Sequence, residues 1–183
     1  MTAGSMSVPS RLRARWPIFA GLAVTVLVAD QLAKAWLVSI LAPGQRTEVV
    51  SNYVRLVHSQ NTGALFGLFR DQAVLFAFVS VGVVGVIIWF HGNAGRNTLL
   101  SVALGLLLGG ALGNMTDRFR YGYVVDFVDI GIGDLRWYTF NIADAAISCA
   151  IVLLLLSAVL PDRLRPGPSG DRGGTAPGER VDA

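Results

Sequence analysis

Charge is scarce in this chain: Asp, Glu, Lys and Arg make up 15% of its 183 residues, whereas soluble domains average about 25%. With 53% hydrophobic residues, it has too few charged side chains to coat a soluble domain of this length. Such a composition also excludes a disordered chain. The net charge of +3 indicates no nucleic-acid partner. The single cysteine, Cys149, excludes a disulfide framework and a multi-cysteine zinc site. The class that remains is a small integral membrane protein.

Long apolar runs are what the chain has in place of charge. They consist mostly of Leu, Val, Ile, Ala, Phe and Gly, and they cover about residues 16–38, 73–90, 98–112 and 141–160. A helix needs about 20 apolar residues to cross a bilayer, and these runs lack the alternation of barrel strands. The sequence therefore predicts an all-α polytopic membrane protein with four transmembrane helices, in a membrane domain that covers residues 16–160.

Both ends of the chain are predicted to lie in the cytoplasm. Arg11, Arg13 and Arg15 precede the first run without an acidic neighbour, which favours a cytoplasmic N-terminal segment over residues 1–15. Four spans return the chain to the same side. The Gly- and Pro-rich residues 161–183 have the composition of a disordered cytoplasmic tail.

The segments between the runs on the opposite side are rich in β-branched and aromatic residues. Three stretches within these two segments favour short strands, namely Tyr53–Ser59, Tyr121–Val128 and Leu135–Phe140. We expect these strands to form a small sheet on the outer face of the membrane.

Ionisable residues inside the apolar runs are few and lie toward one face. They are Asp30, Lys34 and Asp144, and each costs at least about 2.5 kcal/mol in hydrocarbon unless it has a partner or a purpose. In the predicted topology all three lie near the outer interface. The polar strings Gly113–Arg118 and Asn61–Ala64 lie there as well. This convergence predicts a functional site at the extracytoplasmic face.

Each polar residue also has a purely structural interpretation. Asp30 and Lys34 have the i, i+4 spacing of a helical ion pair. Asn141 and Asp144 have the spacing of a capping box. Both interpretations stay open beside the functional one.

Carboxylates are the main catalytic groups that the sequence offers. It contains neither a Gly-x-Ser-x-Gly elbow nor a His-Glu-x-x-His zinc motif. Two neighbouring carboxylates can share a proton and hydrolyse a peptide bond without metal or cofactor. Asp144, at a helix N-terminus, is suggested as the more readily ionised partner. Its partner should come from the preceding segment, which offers Asp126 in an apolar stretch and, further along, Asp129 and Asp134.

The string Gly131-Ile-Gly-Asp134 matches the Gly-x-Gly-Asp motif of presenilin-type intramembrane proteases. Those enzymes carry the motif on a membrane helix. Here it falls between the predicted helices, and we interpret it as a turn.

Five blocks, in this order, resemble the signature blocks of the bacterial lipoprotein signal peptidases, or type II signal peptidases. They are Asp30-Gln-Leu-Ala-Lys34, Asn61-Thr-Gly-Ala-Leu-Phe-Gly67, Gly110-Ala-Leu-Gly-Asn-Met-Thr-Asp-Arg118, Val124-Val-Asp-Phe127 and Phe140-Asn-Ile-Ala-Asp144.

The resemblance implies a four-helix fold with a small extracytoplasmic β-cradle in the bacterial inner membrane. It implies an aspartic endopeptidase that cleaves diacylglyceryl-modified prolipoproteins before the lipidated Cys, with Asp126 and Asp144 as the catalytic pair. It also implies contact with membrane lipids, inhibition by globomycin-type peptides, and no metal or cofactor. Nothing in the sequence requires more than a monomer. The family positions that line or support the site are Asp30, Lys34, Asn61, Gly63, Asn114, Arg118 and Asn141.

A small transporter or proton pathway is the alternative, since such proteins also cluster polar residues in a helical bundle. Against it, the polar residues gather at one interface and the second and third apolar runs contain no charged residue. A conducting path should instead continue across the membrane.

Overall fold

A computed structural model of the chain describes residues 15–62, 73–94 and 98–159. The predicted tail 161–183, Gly63 and all but the last residue of the segment 1–15 lie outside the described residues. The elements in chain order are α1 (Arg15–Ile40), β1 (Arg46–Val50), β2 (Val54–Asn61), α2 (Ala73–Ala94), α3 (Thr98–Tyr121), β3 (Val124–Ile132), β4 (Leu135–Arg136) and α4 (Ile142–Val159). The prediction of a mostly helical protein with a small sheet is confirmed.

Three of these helices, α1, α3 and α4, are long and apolar enough to cross a membrane. The described part of α2 offers a shorter apolar stretch, Phe78–Asn93. The predicted count of four spans therefore stays a prediction, while the membrane character of the helices follows from their length and composition.

Helix α1 has one apolar face that no other element within the described residues covers. Val24, Val28, Leu32 and Trp36 follow one another at intervals of four residues, and each is 47% to 65% exposed. In a soluble protein such a stripe would face water at high cost, whereas in a bilayer it faces hydrocarbon. The opposite face is buried and includes Asp30 and Lys34 as well as apolar residues.

Helix α3 lies at the centre of the bundle and contacts α1, α2 and α4. Glycines allow this close approach. A Cβ atom at Gly109 would lie 2.7 Å from the carbonyl oxygen of Ala23 in α1, and a Cβ at Gly110 would lie 2.5 Å from that of Ala143 in α4. Small residues at such crossings let membrane helices pack backbone to backbone.

Gly109→Ala is therefore expected to lower the free energy of unfolding by about 1–3 kcal/mol, because the added methyl group meets rigid backbone rather than a flexible side chain. The matched control is Gly82→Ala in α2, where a Cβ would have nothing within 4 Å. Equilibrium unfolding of both variants in detergent micelles measures the difference. Equal stability of the two variants would contradict this account of the crossing.

Helix α3 continues about two and a half turns beyond the apolar run 98–112 that predicted it and ends at Tyr121. The polar string after Leu112 is thus part of the helix. Asn114 and Asp117 are 8% and 0% exposed, respectively, and both have polar partners on other elements. A helix tolerates buried polar residues when their hydrogen bonds are satisfied, so the loss of hydrophobicity does not end it here.

The four strands form one antiparallel sheet in the order β1-β2-β3-β4. In β3, Asp126 lies opposite Ser59 of β2, next to an irregularity in the register. Gly133 and Asp134 form the turn between β3 and β4, with Gly133 at a φ of 57°. The turn interpretation of the string Gly131-Ile-Gly-Asp134 is thus confirmed for its last two residues, whereas its first two end β3.

The chain between the sheet and α4 is held against β3 at Phe140. Its backbone exchanges hydrogen bonds with Val128, and its carbonyl oxygen also accepts from the Phe127 N–H group. Asn141 follows directly and caps the N-terminus of α4. This bridge brings the start of α4 beside Asp126.

Candidate active site

Asp126 lies in the most buried part of β3, between Val125 and Phe127, and is 3% exposed. Both of its carboxylate oxygens accept hydrogen bonds, from Asn141 Nδ2 at 2.7 Å and from Asn61 Nδ2 at 3.0 Å. Burial, together with the nearby Asp144 carboxylate, nevertheless raises the pKa of Asp126 to about 7. A carboxyl group in this position can hold a proton near neutral pH.

Asp144 lies in the first turn of α4 and is only partly buried. Its backbone N–H donates to Asn141 Oδ1 at 2.9 Å, and its Oδ2 accepts from the Asn141 backbone N–H at 3.3 Å. This is the predicted capping box, with Asp at the position usually held by Glu or Gln. Its other oxygen, Oδ1, accepts from Asn114 Nδ2 at 2.8 Å. Asp144 therefore caps the helix with one carboxylate oxygen and contacts the site residue Asn114 with the other.

Two asparagines connect the carboxylates. Asn141 donates from Nδ2 to Asp126 and from its backbone N–H to Asp144. Asn114 Oδ1 accepts from Asn141 Nδ2 at 3.1 Å and from Lys34 Nζ at 3.3 Å, which leaves Asn114 Nδ2 to donate to Asp144. The orientation of each amide is thus set by its neighbours.

A second buried cluster lies beside this pair. Lys34 Nζ is 2.7 Å from Asp30 Oδ2 and 2.8 Å from Asp117 Oδ2, and all three side chains are at most 3% exposed. The i, i+4 ion pair expected from the sequence is therefore present, with a second carboxylate added from α3. Gly113 makes room for it, because a Cβ there would lie 2.7 Å from Asp30 Oδ2.

Asp117 and Gln31 also contact this cluster, but neither is among the individual residues to which the sequence assigned a role at the site. Gln31 Nε2 donates to Asp117 Oδ1 at 2.9 Å, and more weakly to Asp30 Oδ2 at 3.3 Å. Both residues lie within the blocks that carry the family resemblance, but the predicted third helix, 98–112, ends before Asp117. The available signal was the spacing of Asn114 and Asp117, which puts them on one face of a continued helix.

Arg118 lies one turn after Asn114 and at the edge of the site. Its Nη1 donates to the Asn114 carbonyl oxygen at 3.3 Å, and its guanidinium carbon lies 5.8 Å from the Phe76 ring centre. Among the predicted site residues, the structure thus brings together all except Gly63, whose position is outside the described ranges.

The other acidic candidates lie elsewhere. Asp129 pairs with Arg136 at 2.9 Å within the sheet, and Asp134 occupies the β3–β4 turn. Within residues 15–62, 73–94 and 98–159, no group of three or more His, Cys, Asp or Glu residues is arranged to hold a metal ion. Asp126 alone of the three possible partners shares a hydrogen-bond network with Asp144.

Chemically, the arrangement is a pair of carboxyl groups that can hold one proton between them. Asp126 is buried and Asp144 is partly exposed, and both accept hydrogen bonds from the asparagines that connect them. Such a pair can activate water with its ionised member and polarise a carbonyl with its protonated member.

Comparison with known proteins gives consistent matches over most of the chain. The family profile described as signal peptidase (SPase) II matches residues 22–160. The lipoprotein signal peptidase of Caulobacter vibrioides is 40% identical over 158 residues, which cover 82% of this chain and 90% of that protein. The lipoprotein signal peptidase of Syntrophomonas wolfei is 34% identical over 142 residues, which cover 78% of this chain and 93% of that one.

Solved structures show the same likeness. Two are described as bacterial membrane enzymes determined by the in meso method. The one at 2.3 Å resolution has a TM-score of 0.73 at 27% identity, with 81% of this chain and 92% of that chain covered. The one at 1.9 Å resolution has a TM-score of 0.69 at 30% identity, with 77% and 91% covered.

Proposed function

The chain belongs to the signal peptidase II family of bacterial membrane peptidases, and on that premise we propose that it is an aspartic endopeptidase. Its substrates are prolipoproteins that carry a diacylglyceryl-modified cysteine, and it cleaves the peptide bond just before that cysteine. Asp126 and Asp144 are the catalytic residues.

The observation that carries this proposal is the Asn141 bridge. One residue donates to both carboxylates, 2.7 Å from Asp126 Oδ1 and 3.3 Å from Asp144 Oδ2. A structural role for either aspartate would not require the other to lie in the same network. The high pKa of Asp126 supports a protonated member of the pair near neutral pH.

The mechanism follows from the two environments. Asp144, at the N-terminus of α4, is the ionised partner and takes a proton from water as the oxygen attacks the scissile carbonyl carbon. Asp126 gives its proton to the developing oxyanion. Collapse of the tetrahedral intermediate breaks the C–N bond, and the proton taken by Asp144 passes to the leaving amide nitrogen. The carboxyl group formed in this step carries one proton too many, and one of its two hydroxyl groups returns that proton to Asp126. No cofactor takes part.

The membrane arrangement is part of the proposal. Four helices cross the bilayer, with α2 as the fourth span and both termini in the cytoplasm. Asp144 in the first turn of α4 then lies near the extracytoplasmic face. The acyl chains of the substrate remain in the bilayer while its peptide bond reaches the pair, which explains why a peptidase site is built at a membrane interface.

Purified protein and a lipid-modified prolipoprotein provide the test. We expect cleavage before the modified cysteine, identified by mass spectrometry, with the same rate when EDTA is added. The unmodified prolipoprotein is the matched control and should be cleaved much more slowly. Asp134→Asn should stay active, which separates this pair from a presenilin-type one. Failure to cleave the modified substrate would contradict the function, and inhibition by EDTA would contradict the metal-free mechanism.

Activity should also depend on pH in a defined direction. Since Asp126 has a pKa of about 7, it keeps its proton below that pH and loses it above, so kcat should fall as the pH rises through about 7. The Asn61 hydrogen bond favours the ionised form of Asp126. Asn61→Ala should therefore raise the pKa of Asp126 and move the alkaline limb of the pH–rate profile to higher pH. A shift of this limb to lower pH would exclude Asp126 as the group responsible.

A further inference from the structure

Each carboxylate of the buried cluster binds the backbone immediately before one member of the catalytic pair. Asp30 Oδ1 accepts from the N–H group of Ala143 at 3.0 Å, one residue before Asp144. Asp117 Oδ2 accepts from the N–H group of Val125 at 3.0 Å, one residue before Asp126. The two contacts are equivalent, although they connect four different elements.

Lys34 connects the two carboxylates. Its ammonium group contacts both Asp30 and Asp117, and it also donates to Asn114 Oδ1. The cluster thus spans the distance between β3 and the start of α4 and is charge-assisted throughout. Hydrogen bonds to buried ionised groups are shorter and stronger than neutral ones, which suits them to hold a backbone in place.

The peptide group of Val125 is held on both sides by buried polar side chains. Its N–H group donates to Asp117, while its carbonyl oxygen accepts from Asn141 Nδ2 at 3.3 Å. Val125 is 1% exposed, so water does not replace a lost acceptor. Removal of the Asp117 carboxylate would leave one side of the peptide that precedes Asp126 without an anchor.

We infer that Asp117 is a positioning residue for hydrolysis, and that Asp117, Lys34 and Asp30 together set the position of Asp126 relative to Asp144. This inference rests on the proposed function. Asp117 does not touch the substrate: it acts on the reaction through the Val125 backbone, as Asp30 does through Ala143.

Two substitutions at Asp117 distinguish the loss of the hydrogen bond to Val125 from the loss of the negative charge. Asp117→Asn loses the charge but keeps one oxygen to accept from Val125, and the Gln31 amide can turn to accept from the new NH2 group. Asp117→Ala loses both. We expect kcat of Asp117→Ala to fall by about a hundredfold with little change in KM, since a small misplacement of catalytic groups has effects of that size. Asp117→Asn should retain at least about tenfold more kcat than Asp117→Ala.

Asp129→Ala is the matched control, because it removes a carboxylate from β3 that pairs with Arg136 away from the catalytic pair. It should keep wild-type kcat. Rates are expressed per folded enzyme, with folding measured by thermal unfolding in detergent. Should Asp117→Ala fail to fold, Asp117→Leu replaces it as an apolar side chain of similar shape. Equal loss in the Asn and the apolar variant would overturn the anchoring role.

Amide hydrogen exchange gives a readout that general destabilisation would not produce. Asp117→Ala or Asp117→Leu should accelerate exchange at Val125 more than at Ala143, and Asp30→Ala should have the opposite preference. Equal acceleration at both amides would overturn the inference. Failure of the wild type to cleave the lipid-modified substrate would instead contradict the proposed function, and the exchange result would still decide whether Asp117 holds Val125.

Discussion

Asp126→Asn is expected to reduce cleavage of the lipid-modified prolipoprotein by about 10⁴-fold or more, the upper end of what general acid–base groups contribute. The amide has nearly the same shape as the carboxyl group, but it neither holds nor releases a proton at neutral pH. Asp144→Asn should have an effect of similar size, because it removes the group that takes the proton from water. Single-turnover cleavage in detergent micelles measures both.

The fold should survive these changes, which makes the result specific. Asp126 is buried against apolar neighbours with a raised pKa, so a neutral side chain of the same size should not lower stability at neutral pH. Asp129→Asn, three residues along the same strand, is the control and should retain wild-type rates. Appreciable cleavage by folded Asp126→Asn or Asp144→Asn would remove that residue from the catalytic pair.

Lys34→Met is expected to lower the free energy of unfolding by about 3–5 kcal/mol, the usual cost of removing one partner from a buried ion pair. The substitution keeps most of the apolar volume of the side chain. It leaves Asp30 and Asp117, at 0% and 1% exposed, as two neighbouring carboxylates without their shared cation. Equilibrium unfolding in detergent micelles at neutral pH measures the loss.

Two further variants test whether the loss of stability in Lys34→Met comes from the uncompensated carboxylates. Leu32→Met changes a 65% exposed residue on the opposite side of α1 and should be nearly neutral. The triple variant Lys34→Met, Asp30→Asn and Asp117→Asn removes the uncompensated charges and should recover much of the lost stability. If Lys34→Met is as stable as Leu32→Met, the cluster does not hold the helices together in the way described here.

Local patterns predicted much of the site because some of its contacts are local. The i, i+4 spacing of Asp30 and Lys34 predicted their ion pair, and the spacing of Asn141 and Asp144 predicted the capping box. Both contacts are present. They depend only on helix geometry, which is the same wherever the helix lies in the protein.

Asp117 shows where local patterns failed. Hydrophobicity assigns Asp117 to a segment after the third helix, because the apolar run ends at Leu112 and the residues that follow are mostly polar. In the structure it is fully buried in α3, because Lys34 and Gln31 from α1 and the Val125 N–H group from β3 satisfy it. Those partners belong to other elements, so the sequence around Asp117 does not indicate that its carboxylate is hydrogen-bonded and ion-paired.

Composition, periodicity and motifs are sufficient to predict the membrane class, the apolar helices, the small sheet and the resemblance to a peptidase family. Which carboxyl group shares a hydrogen-bond network with Asp144 depends instead on contacts between distant parts of the chain. Asp126, Asp129 and Asp134 are all acidic residues of one short segment. The three differ because Phe140 pairs with β3 and thereby places Asn141 in contact with Asp126. These two residues are separated in sequence by the β3–β4 hairpin, and only the folded hairpin brings them together.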